Sequence, residues 1–161
     1  MPLLFEEMDA AGVTQAVVLG RTTATLGSIP NADVAAIVAE HPERFLGVGS
    51  ADTSDRRRAV AMIEECRALG LRMVNLEPGV MDPPLRMDDR RLYPIYAHCE
   101  DAAMPIVLMA GGGAGPDITY TAPECLDRMC ADFPRLTVVC SHGGWPWVQE
   151  VLHVAFRRPN L

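Results

Sequence analysis

Five short apolar runs rich in β-branched residues recur along the chain, at 15–19, 45–49, 72–76, 105–109 and 136–140. Between them lie segments of helix length with apolar residues at helical spacing, at 2–11, 31–40, 55–69, 89–102, 123–132 and 145–156. This alternation limits the possible folds more than any other feature. Runs that are apolar throughout, each followed by a helix, predict a parallel sheet covered by helices. Local signals punctuate the pattern. Gly12 and Gly70 stand where helices stop, Asn31 stands where a capping residue belongs, and Pro94 falls early in its helix. Two architectures satisfy the order, an α/β barrel and an open doubly wound sheet of flavodoxin type. Strand order separates them, because a barrel keeps its strands sequential and a doubly wound sheet reverses at a switch point.

Both architectures place function at the C-terminal ends of the strands. The turns that lead into strands are terse, for example 12–14 and 70–71. The loops that leave strands are long and chemically varied, at 20–30, 77–88 and 110–122. The chain opens on a helix and ends on Arg157-Arg158-Pro159-Asn160-Leu161, which reads as a turn into another strand. Five strands do not close an eight-stranded barrel. The expectation is therefore one domain over 1–161, either an open sheet or a segment of a barrel truncated at both ends.

His142 is the foremost chemical candidate. It follows the last apolar run inside Ser141-His142-Gly143-Gly144, and a helix is expected to begin near Trp145-Pro146 and aim its free N–H groups at the same place. A histidine there can serve as acid, base or metal ligand near neutral pH. The plainer alternative is a histidine bonded to a backbone carbonyl in a turn. Asn75 and Glu77 share one side of their strand, so both can face a barrel mouth; alternatively, Glu77 is a surface carboxylate opening a Pro78-Gly79 turn. The stretch Gly111-Gly112-Gly113-Ala114-Gly115-Pro116-Asp117 can cradle an anion or can be a flexible loop, with Asp117 and Tyr120 as polar contacts. It lacks the features of a P-loop or a dinucleotide fingerprint. His41, His98 and His153 read as structural or surface residues, and Ser141 beside His142 as no catalytic pair.

Composition excludes several function classes. Of 161 residues, 49% are hydrophobic and 22% charged, as expected of a globular protein. The net charge of −7 argues against a nucleic-acid partner, and Arg56-Arg57-Arg58 reads as a solvated helix start. No apolar run has membrane-spanning length and no secretory signal opens the chain. Five widely spaced cysteines without a CxxC predict reduced thiols in a cytoplasmic protein.

Five motifs in order give the chain a family resemblance. They are Met8-Asp9-Ala10-Ala11-Gly12-Val13, Arg44-Phe45-Leu46-Gly47-Val48, the 85–96 stretch LRMDDRRLYPIY, Ala131-Asp132-Phe133-Pro134, and Ser141 to Trp147 (SHGGWPW). In these the chain resembles the amidohydrolase-related family, in the branch of aminocarboxymuconate-semialdehyde decarboxylase-like enzymes. The resemblance implies part of a (β/α)8 barrel, with the five strands matching the family's second to sixth. It also implies hydrolysis or decarboxylation of small carboxylated or ring-derived substrates by a metal-dependent site, usually zinc.

The HxH pair of the family's first strand and the Asp of its last have no counterpart here. Met109-Ala110-Gly111 stands where the fifth-strand histidine belongs, and a thioether is a poor ligand among nitrogen and oxygen donors. His142 is the matching metal-site histidine, and a metal held by it alone would be weak. The implied roles are therefore His142 as acid–base or metal-facing residue, with Asn75, Glu77, Met109, Gly111, Asp117, Tyr120 and Trp145 lining the mouth. The alternative is a non-catalytic remnant that binds a small acid or associates through its exposed edges as a homodimer.

Overall fold

The computed structural model describes all 161 residues. Six helices alternate with five strands in the expected order. These are α1 (Pro2–Ala10), β1 (Ala16–Leu19), α2 (Asn31–Glu40), β2 (Phe45–Ser50), α3 (Arg56–Ala68), β3 (Met73–Leu76), α4 (Tyr93–Asp101), β4 (Ile106–Leu108), α5 (Pro123–Asp132), β5 (Val138–Cys140) and α6 (Val148–Arg157). All pairings are parallel and the sheet order is β1-β2-β3-β4-β5. A sequential parallel sheet with alternating helices is a segment of a (β/α)8 barrel, which excludes the doubly wound alternative.

The two faces of the sheet differ. Val74, Leu76, Ile106, Leu108 and Val138 point to the helices and join a core of 27 buried residues with Ile63, Tyr96, Leu126 and Met129. Gly49 permits the close approach of α3, since a Cβ there would lie 2.2 Å from the Cys66 sulfur. The opposite, concave face carries Val17, Leu46 and Val139, which are exposed, and Val48 and Val107 nearer its centre, which are buried. The expected helix cover therefore lies on one face of the sheet. The helices cover the convex side only, as on a barrel, whose strands bury their inner face against each other.

Three local expectations also change. Asn31 caps no helix; its side-chain amide donates to Ser50 O at 3.1 Å and its Oδ1 accepts from Ser50 N at 2.8 Å. The pair of bonds ties α2 to the end of β2. The fourth helix begins at Tyr93, with Asp89 to Leu92 in a turn before it. The sixth begins at Val148, because Trp145 precedes a proline and is held extended, at φ −54° and ψ 134°.

Candidate functional site

The C-terminal ends of β1, β2 and β3 converge on a buried polar network. Ser50, Asn75 and Val107 are register partners across β2, β3 and β4. Strand alternation turns Asn75 away from the core side chains Val74 and Leu76 and onto the concave face. Its amide nitrogen donates to Gly20 O at 3.0 Å and to Glu77 Oε1 at 2.7 Å. Arg21, on the loop leaving β1, donates from Nε to the same Glu77 oxygen at 3.1 Å. Thr22 and Ser50 share a hydroxyl hydrogen bond of 2.7 Å beside them.

Glu77 is 4% exposed and its second oxygen, Oε2, is buried without a partner. An unpaired buried carboxylate oxygen is costly, and such groups mark places where a donor or a proton is expected. Arg21 is 39% exposed, and only its Nε is engaged by protein. Its terminal nitrogens remain available, in the fork geometry that matches a carboxylate.

His142 sits two strands away, in the Ser141–Gly144 turn that follows β5. Its backbone is left-handed, at φ 57° and ψ 15°, a conformation that costs a β-carbon-bearing residue roughly 1–2 kcal/mol. Gly144 follows at φ 68°, and a Cβ there would lie 2.5 Å from Val151. The imidazole is exposed and takes part in no hydrogen bond, so it is not the carbonyl-bonded histidine of the plainer alternative. Ser141 donates to Leu108 O at 3.1 Å and braces the turn against β4. α6 starts at Val148, three residues later than the expected start near Trp145, so its first free N–H groups belong to residues beyond the Ser141–Gly144 turn.

The glycine loop packs against this turn. Gly111 is buried and Gly112 N donates to Trp145 O at 3.0 Å. A cavity of about 290 Å³ lies between the loop and Trp145-Pro146, just past the turn, lined in part by Gly112, Asp117, Ile118 and the exposed Trp145. Asp117 caps a short turn through Thr119 N at 2.8 Å and Thr119 Oγ1 at 2.6 Å. These bonds hold its carboxyl below the usual range. Tyr120 is half-buried against Gly115. Met109 lies in a small apolar cluster with Val80 and Ala114.

The structure therefore joins Asn75 directly to Glu77, and the glycine loop to the His142 turn. No hydrogen bond links the two groups, which lie on either side of β4. Sequence reasoning missed Arg21, and a cation directly after the first strand was the available signal.

Comparison with known proteins identifies the class. The amidohydrolase family model matches residues 1–161, so this chain belongs to the amidohydrolase family. A solved structure of an uncharacterized TIM-barrel protein from Bordetella bronchiseptica is 58% identical with a TM-score of 0.95, covering 100% of this chain and 57% of its own. The 2-amino-3-carboxymuconate-6-semialdehyde decarboxylase of Dictyostelium discoideum is 25% identical, over 81% of this chain and 42% of its own length. A 5-carboxyvanillate decarboxylase from Novosphingobium aromaticivorans, solved with bound manganese, shares the fold at 17% identity and a TM-score of 0.71, covering 96% of this chain and 52% of that one. The chain thus spans about half the length of the relatives it matches.

A divalent metal is expected for the family. The donor set of this chain does not assemble a site for one. No group of three or more His, Cys, Asp and Glu side chains is placed to hold an ion. Met109 is enclosed by apolar neighbours, and the imidazole of His142 stands alone.

Proposed function

We propose that this chain forms the substrate-binding part of an amidohydrolase-type hydrolase or decarboxylase that acts on a small carboxylated, ring-derived acid. The observation that carries this reading is the Arg21–Glu77–Asn75 network at the C-terminal ends of the strands. Arg21 anchors the substrate carboxylate through its unengaged terminal nitrogens. Glu77 Oε2 accepts a hydrogen bond from a hydroxyl on the same substrate. His142 moves the proton, as an exposed acid–base group. Trp145 and Met109 supply apolar contact to the ring. No step is assigned to a metal, since the residues present do not fit one.

The test is turnover of a panel of hydroxylated benzoates, followed by loss of ring absorbance. His142→Ala is expected to lower kcat by about 100-fold. Arg21→Ala is expected to raise KM by about tenfold with little change in kcat. Unchanged turnover in His142→Ala sinks its assigned role.

A second reading is favoured by the missing donor set around His142. In it the chain binds a small acid without turning it over, or associates with a second copy through the exposed concave face. Saturable benzoate binding without product, with light scattering for mass, separates these outcomes.

A further inference from the structure

Outside the mouth, a cavity of about 450 Å³ opens between the start of α3 and the segment leading into α4. Thr53, Ser54, Asp55, Arg56, Arg90 and Arg91 line it. Three guanidiniums in one cleft stand out in a chain of net charge −7. Arg91 is tied to Asp89, from Nε at 2.9 Å and Nη2 at 2.7 Å. Arg56 and Arg90 form no ion pair.

The carboxylates here are already engaged. Asp55 caps α3 by accepting from Arg57 N at 2.8 Å and Arg58 N at 2.9 Å, and Asp52 is paired with Arg58 at 2.8 Å. The Ser54 hydroxyl donates to Asp52 at 2.5 Å. Thr53 is different. It is 3% exposed, and its hydroxyl is one of four buried side-chain polar atoms in the protein with no hydrogen-bond partner. A buried hydroxyl without an acceptor is destabilising, and its proton can rotate toward whatever oxygen arrives.

We propose that this cleft binds a phosphate-type oxyanion. Arg56 and Arg90 supply charge and paired N–H donors, Thr53 donates from the buried wall, and the N-terminal end of the 13-residue α3 adds its dipole. A tetrahedral dianion with several acceptor oxygens uses all of these donors, and a monocarboxylate does not. Free phosphate and the phosphoryl group of a small ester share that chemistry.

Calorimetric titration of the whole chain with inorganic phosphate, glycerol phosphate and acetate, in chloride buffer, tests the assignment. One phosphate-type ligand is expected to bind per chain, with acetate weaker by about tenfold or more. Arg56→Ala and Arg90→Ala, both exposed and safe for folding, are each expected to weaken binding by about tenfold. Thr53→Val is expected to weaken it about fivefold. Tighter binding of glycerol phosphate assigns the site to an ester, and binding of inorganic phosphate alone assigns it to the free ion. Absence of saturable binding by both phosphates overturns the proposal. So does equal binding of acetate, or an equal loss in Arg135→Ala, whose guanidinium is paired with Glu100 elsewhere.

Discussion

The two faces of the sheet are built from similar residues and sit in opposite environments. On the convex face, Leu76, Ile106 and Leu108 are sealed under α3, α4 and α5. On the concave face, Val17 is 56% and Leu46 is 47% exposed. Apart from the polar Ser50 and Asn75 on the concave side, both faces carry mainly aliphatic side chains, so hydropathy alone does not tell them apart. The difference lies in what each face meets. The helices of this chain satisfy the convex side, whereas an inner barrel face is buried only by strands from the opposite wall. The polar network occupies the C-terminal rim of that open side, where a barrel keeps its chemistry.

The contrast is broken or sharpened first by paired core substitutions. Leu108→Ala is expected to cost about 3 kcal/mol in denaturant unfolding. Leu46→Ala should cost less than about 1 kcal/mol, because about half of its surface is already open to solvent. Equal costs would mean that the concave face is covered in solution, and the contrast would fall. Next comes the bond pair that joins α2 to the rim. Asn31→Ala leaves the buried N–H and C=O of Ser50 without those partners, at about 2 kcal/mol.

A chemical probe reads the convex side more finely. Burial pushes the thiols of Cys66 and Cys140 up to about 11, and those of Cys99 and Cys130 up to about 12. The thiolate is the reactive form, so these four should resist a disulfide reagent at pH 8 until the chain unfolds. Fast native labelling of Cys99 or Cys130 would contradict a sealed convex core.

The smallest effect concerns Asp55. Backbone bonds from Arg58 and Arg57 hold its carboxyl below the ordinary value of 3.8. A depressed folded-state value means stability present above that ordinary value and lost as pH falls through the folded one. Asp55→Ala should therefore lower the neutral-pH stability slightly and flatten the acid limb of the unfolding curve. An unchanged acid limb would remove the cap from the account.

Much of the fold was legible before the structure. The element order, the parallel sheet and the shared side of Asn75 and Glu77 follow from strand and helix periods. Helix starts were less legible. Trp145 looked helical by composition, yet the proline after it holds it extended. Asn31 resembled a cap, yet the backbone of β2 offered its amide two partners at once. The site was legible in its residue types and not in its links. Nothing local relates Arg21 to Glu77 across 56 positions.

The sequence by itself determined that five strands alternate with six helices and that the chain carries the motifs of its family. Those are properties of short windows, set by side-chain period, turn chemistry and local wording. Only the tertiary structure decided that the strands run in sequential order, that helices cover one face, and that Arg21, Asn75 and Glu77 form one network. These depend on which strand lies beside which, and contacts between distant segments leave no trace in local spacing. The exposed His142, left-handed and without a partner, belongs to both: its place was readable, its freedom was not.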